Sequence, residues 1–230
     1  MTLQKIISIL ATALLMTALC TGTVTAEKHD WRDNNYNFKS VQTAWIEDID
    51  LSGVTLDSDI TQKCLLEYYQ KQETRPKWQV LTKDQINRKI SLLEWQDLDT
   101  LATTDPDKAK TLWDQDLPKI ANVHVTAKLT RYDQTSKIIP AHTEWETRET
   151  YDTYRDKDGH TYTVTHYYQV PVYVPEHTVW ISHVIVRYDI QDTATGKTIF
   201  SREDIRDDTD SLQNVYELSV RSFFRELKLE

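Results

Sequence analysis

Apolar and polar residues change their spacing several times along this chain, and each change marks an element. Val41, Thr43 and Trp45 alternate through the segment Val41 to Leu51 and predict a strand, closed by a turn at Ser52-Gly53. Ile60, Cys64 and Tyr68 then recur at helical spacing. They mark the buried stripe of a helix that Asp57 or Ser58 caps and that runs to about Gln72. Trp78-Gln79-Val80-Leu81, beyond Pro76, reads as a short buried strand. Thr82-Lys83-Asp84-Gln85 has the form of a capping box, with Ile86, Ile90 and Leu93 following on one helical face. Asp105-Pro106 opens a third helix, Asp as cap and Pro at the first helical position, carrying Ala109, Leu112 and Trp113 inward.

From Asn122 the period becomes two. Val123, Val125, Ala127 and Leu129 alternate with His124, Thr126, Lys128 and Thr130, the mark of a half-buried strand. A second long strand, Val179 to Ile190, and a third, Thr198 to about Glu203, flank the turn Asp192 to Lys197 and make an antiparallel hairpin. A last helix turns Leu212, Val215, Ser219, Phe223 and Leu227 inward. Residues 141–176 stand apart: Glu144 to Tyr154 and Thr161 to Val174, rich in Thr and Tyr, flank the turn Asp156-Lys157-Asp158-Gly159. Pro171 and Pro175 cannot donate ladder hydrogen bonds, so the returning strand lies on an edge or leaves the sheet. Trp31-Arg32-Asp33-Asn34-Asn35 reads as a polar lead-in without an element of its own. The pattern as a whole predicts an α/β (α+β) fold, a mixed sheet of about five strands packed with helices. Residues 27–230 form a single domain, and residues 141–176 are expected to project from it as a hairpin arm.

The amino terminus adds an address. Lys5, the apolar run Ile6 to Leu19 and Val24-Thr25-Ala26 ahead of Glu27 read as a secretory signal peptide over residues 1–26. The apolar run is shorter than the roughly 20 residues a spanning helix needs, so the mature chain is expected to carry no transmembrane segment and to be periplasmic or secreted. Thr17-Ala18-Leu19-Cys20 offers a second route, lipid attachment at Cys20, although Leu19 is large for the position before such a cysteine. Cleavage after Ala26 would leave Cys64 alone, so no internal disulfide forms and the helical spacing makes Cys64 a packed core thiol.

The formal charge is −9 over 230 residues, and removal of Lys5 with the leader makes it −10. Basic residues are scattered among acidic ones, as in Arg202-Glu203-Asp204, which excludes nucleic acid as a partner. Motifs of chemistry are equally sparse. Gly196-Lys197-Thr198 lacks the upstream glycine of a phosphate loop, and the turn at Gly159 lacks the carboxylates of a calcium loop. His160 and His166 are too far apart along one strand, roughly 20 Å, to share an ion, as are His177 and His183. Pairing around the Asp156 turn would set Glu149 opposite His166, one histidine and one carboxylate that could begin a metal site, with no third ligand supplied by spacing. A surface polar pair is the simpler reading. No nucleophile, base and orienter occur as a set, so neither an enzyme nor a cofactor is expected.

The aromatic residues of the arm, Trp145, Tyr151, Tyr154, Tyr162, Tyr167, Tyr168 and Tyr173, are candidates for binding a partner, or for pairing across strands to hold the arm together. Short motifs point the same way. Tyr36-Asn37-Phe38-Lys39-Ser40-Val41, Ala121-Asn122-Val123-His124-Val125, Tyr188-Asp189-Ile190 and Thr195-Gly196-Lys197-Thr198-Ile199-Phe200 resemble bacterial envelope proteins of the type that includes the curli-secretion lipoprotein and the amino-terminal domain of the Tol-system propeller protein. The resemblance spans residues 36 to 229 apart from the arm. It implies an extracytoplasmic α/β domain that works by protein contacts in envelope assembly or transport, with no catalytic residues to carry over. The expectation is therefore an exported protein-interaction or assembly module whose partner is another envelope protein, with oligomer formation open. The alternative is a periplasmic protein that binds a small ligand or metal.

Overall fold

Charged residues, not apolar ones, build the first strand. The computed structural model describes residues 25–74 and 77–227, so the expected leader lies outside them except for Thr25 and Ala26, and Cys20 lies outside with it. Strand β1, Thr25–Arg32, pairs antiparallel with β8, Thr198–Asp208. It replaces the polar lead-in expected from sequence. Its alternate side chains Lys28, Asp30 and Arg32 find partners on one side of the sheet, which is why a strand without apolar alternation holds. Arg202 bonds Asp30 through Nε at 2.7 Å, Lys28 Nζ lies 2.6 Å from Glu226, and the Arg32 guanidinium stands 4.2 Å from the Phe38 ring.

The remaining elements follow the expected order with altered bounds. They are β2 Thr43–Ile46, α1 Ser58–Thr74, β3 Gln79–Leu81, α2 Lys83–Glu94, α3 Leu98–Thr104, α4 Pro106–Ile120, β4 Val123–Ile139, β5 His142–Arg155, β6 Thr161–Val174, β7 His177–Asp192 and α5 Leu212–Glu226. Among the described residues the main sheet has six strands in the order β1-β8-β7-β4-β2-β3, parallel where β2 meets β3 and β4 and antiparallel where β8 meets β1 and β7. β5 and β6 make a separate two-stranded sheet. The fold is thus α/β with a mixed sheet, six strands rather than about five. By Cα proximity the chain divides into two compact units, residues 136–180 being one and the rest the other.

Caps begin the helices where the sequence places them. Asp57 Oδ1 accepts from Ile60 N, Thr82 and Gln85 complete the capping box, and Asp105 accepts from Lys108 N ahead of Pro106. Two helices depart from expectation. α3 was not expected at all, since it is only seven residues long, about two turns, with Leu98 alone buried. Leu93 of α2 is exposed, so Ile86 and Ile90 alone carry that helix inward. The strand expected over Val41 to Leu51 shortens to four residues because a 3-10 turn takes Phe38–Ser40 and the chain breaks after Ile46. Asp50 resumes the pairing with β4, and Gly53 follows where a Cβ would stand 2.7 Å from the Leu129 carbonyl oxygen. That contact fixes glycine at the turn.

Alternate residues of β2 divide the core. Ala44 and Ile46 join Val123, Val125, Val184, Val186 and Tyr188 beneath α1 and α5, whereas Trp45 joins Leu81, Ile86, Ile90, Leu98 and Ala109 beneath α2, α3 and α4. In the first layer Tyr188 stacks on Phe223 at 3.9 Å, Tyr68 meets Phe224 at 5.4 Å, and the buried Tyr216 hydroxyl donates to the Cys64 carbonyl. α5 presents the inner face expected for it, extended by Tyr216, Val220 and Phe224.

Candidate functional site

The β5–β6 hairpin forms because its composition suits a strand pair and its turn closes it. Thr, Tyr and Val have the shapes that fit a pleated surface. Asp156 Oδ1 accepts from both Asp158 N and His160 N, and Gly159 takes φ 88°, a left-handed conformation that glycine adopts without strain. Every residue from His142 to Arg155 pairs with one from Thr161 to Val174, and Tyr154 stacks on Tyr162 across the ladder at 5.6 Å.

Directly opposed residues share a face, so this register sorts the hairpin into two faces. One carries Trp145, Tyr151, Tyr167 and Tyr173 among Thr147, Thr153, Thr163, Thr165 and Pro171, with Glu149 and Arg155 as its only charged groups. The other carries Tyr154, Tyr162 and Tyr168 with the half-buried Val164, Val170, Val172 and Val174. All seven Trp and Tyr candidates are exposed, from 44% for Tyr154 to 69% for Tyr173. Some of their hydroxyls are locally occupied. Tyr151 donates to Glu149 at 2.5 Å, which raises the phenol's pKa.

The proposed metal pair does not assemble. Thr150, not Glu149, lies opposite His166, and Glu149 lies opposite Tyr167. A turn register one residue away from the expected one moves every side chain to the other face, and so separates the two groups. His166 instead meets Asp152 at 3.2 Å. Among the described residues no group of three or more His, Cys, Asp and Glu is placed to hold an ion.

Two further arrangements lie on the main sheet. His183, paired with Asp207 across β7 and β8, holds the Asp207 carboxylate 2.6 Å from Nδ1 and the Thr135 hydroxyl 2.7 Å from Nε2. This is the order of a hydroxyl–imidazole–carboxylate chain. Beside it Gln134 donates to Ser182, whose hydroxyl donates to the Asp210 carbonyl. The cluster ties β4, β7 and β8 together where the hairpin segment begins. Towards the β1 edge an open depression of about 550 Å³ is lined by Lys28, His29, Asp30, Trp31, Arg187, Ser201 and Glu203. Trp31 is half exposed there, and Asp189 holds Arg187 at 3.0 Å.

Sequence reasoning missed Trp31, which it left in a lead-in, and Trp95. Trp95 follows α2 in the left-handed region at φ 53°, 92% exposed and next to the exposed Leu92 and Leu93. No periodicity flags an apolar residue that stands outside a buried stripe. The segments around Tyr36, Asn122 and Asp192, by contrast, knit one end of the sheet. Asn122 Oδ1 accepts from Gln42 N and Thr43 N, Thr193 N donates to the Asn122 carbonyl, and Tyr36 donates to Asp192.

No family model matches the chain, and no curated protein matches its sequence. Among solved structures it is similar to the PelC dodecamer from Paraburkholderia phytofirmans, at TM-score 0.42 and 10% identity over 90% of this chain and 99% of that one. A single-substitution variant of the same protein gives TM-score 0.41, 10% identity, and 89% and 98% coverage. A PDZ domain protein from Parabacteroides distasonis gives TM-score 0.32 and 11% identity over 96% of this chain and 40% of that one.

Proposed function

We propose that this chain is an exported, non-catalytic protein of the cell envelope that binds another protein through the β5–β6 hairpin. One observation carries the reading: seven Trp and Tyr side chains of a single hairpin are all exposed. Tyr and Trp supply large, rigid contact area at low entropic cost, and a protein seldom leaves so many in water without a use for them. The signal-like segment ahead of Glu27 and the motifs shared with envelope proteins support the location. A net charge of −9 with dispersed basic residues supports a protein rather than a nucleic acid as partner.

The test is crosslinking in intact cells of the tagged full-length chain, beside a variant carrying Trp145→Ser, Tyr167→Ser and Tyr173→Ser. A single envelope protein captured by the wild type and lost in the variant is the expected result. Equal capture by both would overturn the reading.

A second reading, a binder of a small polar ligand, draws on the depression beside Trp31, where the Glu203 carboxylate and Arg187 line one wall. A ligand that binds only the folded state raises the melting temperature, and Trp31→Ala should abolish that rise.

A further inference from the structure

The two strands of the hairpin differ sharply in charge, and that difference bears on what their free edges can meet. β5 carries Glu144, Glu146, Arg148, Glu149, Asp152 and Arg155, whereas β6 contains no Asp, Glu, Lys or Arg in its fourteen residues. Among the described residues β6 pairs with β5 alone, so its outer edge offers unpaired N–H and C=O groups along its length. Proteins ordinarily guard such an edge with charges, bulges or prolines. β6 has Pro171 near one end and, from Thr161 to Val170, ten residues of high strand propensity with no guard. An isolated two-stranded ribbon is also marginal in water and gains stability when a third strand joins it.

We infer that β6 pairs along this edge with β6 of a second copy of this chain, antiparallel about a two-fold axis, giving a four-stranded sheet from two hairpins. This rests on the reading of the hairpin as an interaction element, and assigns its edge to self-association while its aromatic face serves the other protein. The charge pattern selects the occupant. A two-fold pairing of β5 edges would bring carboxylates of the two strands together, Glu149 against its own image and Glu146 against Asp152 about an axis through Glu149, while a pairing of β6 edges brings no like charges together. An axis through Tyr167 sets Val164 opposite Val170 of the second copy, so apolar groups meet on the valine face and the new ladder stops short of Pro171. Such an interface is isologous and closes at two chains.

Sedimentation equilibrium of the purified chain across a dilution series tests this. The wild type should give the mass of two chains. Thr165→Lys with Gln169→Lys, which face each other across the axis, and separately Thr165→Glu with Gln169→Glu, should each give one chain with unchanged far-UV circular dichroism, association falling roughly ten-fold or more from the like charges. An equal mixture of the two variants should return to two chains, which a folding defect would not do. Thr147→Lys with Thr153→Lys, on the same face of β5, should leave the wild-type mass. A wild type of one chain throughout, charged β6 variants that associate like the wild type, or loss of association from the β5 variant would each overturn the inference. If the chain is single in solution while the cell crosslink still depends on Trp145, Tyr167 and Tyr173, the inference fails and the partner-binding reading stands.

Discussion

His124 lies face to face on Trp45, ring centroids 3.8 Å apart and planes 6° from parallel, and its Nε2 meets the Glu47 carboxylate at 3.1 Å. Burial against the indole lowers the imidazole's pKa, and the Glu47 carboxylate offsets only part of that. The folded state therefore takes up the proton less readily than the unfolded one. The contribution to stability is fully present above the unfolded value of 6.5 and is lost as pH falls from there through the lowered folded value. The melting temperature of the wild type should fall more steeply below pH 6.5 than that of His124→Phe, which keeps a ring on Trp45 but has no proton to bind. Parallel profiles would show that His124 titrates as it does in water.

A second titration lies where β1 meets α5. Burial alone would raise the Glu226 carboxyl, but the Lys28 hydrogen bond and the Arg202 guanidinium outweigh it and hold the group at about 2. Its ordinary value is 4.5. The stabilisation is thus complete above 4.5 and disappears between 4.5 and about 2, as the folded state is forced to take a proton. Thermal melts over that interval should show a shallower decline for Glu226→Gln than for the wild type. Because Lys28 and Asp30 tie β1 to Glu226 and Arg202, hydrogen exchange of β1 amides should accelerate first on acidification.

Cys64 tests the first core layer. It is fully buried on α1, where its carbonyl meets Tyr216 of α5, and burial pushes its thiol up to about 11. Neither thiolate nor access is available near neutral pH, so an aromatic disulfide reagent should modify Cys64 only at the rate of unfolding. Tyr216→Phe, which removes the hydroxyl that bonds the Cys64 carbonyl at 3.0 Å, should cost about 1 kcal/mol in urea denaturation and raise the labelling rate in step. Rapid labelling of the untouched native chain would contradict this packing.

Periodicity located most of the sheet and its helices because apolar burial leaves a spacing that can be counted. β4 is the clearest case: Val123, Val125, Ala127 and Leu129 are all buried, and the residues between them are not. β1 was hidden because Lys28 and Asp30 are held by charges far away in sequence, Glu226 on α5 and Arg202 on β8, while Arg32 lies over the Phe38 ring. Nothing local distinguishes such a strand from a polar tail. The existence of the hairpin was legible from Thr and Tyr content and the Asp156 turn, but its register was not. Registration depends on which turn residues pair, Asp156 with His160 here, and one residue of error exchanged Glu149 for Thr150 opposite His166. The contact of His183 with Thr135 and Asp207 joins three strands and carries no sequence spacing that could announce it.

Trp95 offers the sharpest separation of stability from use. It ends α2 at φ 53° and ψ 31°, where a side chain crowds the backbone and glycine does not, while its own N–H bonds the Ser91 carbonyl as a helix-ending residue does. At 92% exposure the indole buries almost nothing that would offset the strain. Trp95→Gly should therefore stabilise the chain by about 0.5–1 kcal/mol, the relief of strain exceeding the added freedom of the unfolded state. Trp95→Val, whose branched Cβ tolerates this conformation least, should destabilise it by at least about 1 kcal/mol. Urea midpoints at unchanged denaturant dependence give both values. If Trp95→Gly proves less stable than the wild type, the indole holds contacts in solution that its exposure denies. If it is more stable yet captures less partner in the cell, Leu92, Leu93 and Trp95 form part of the binding surface, kept in a strained conformation for that purpose.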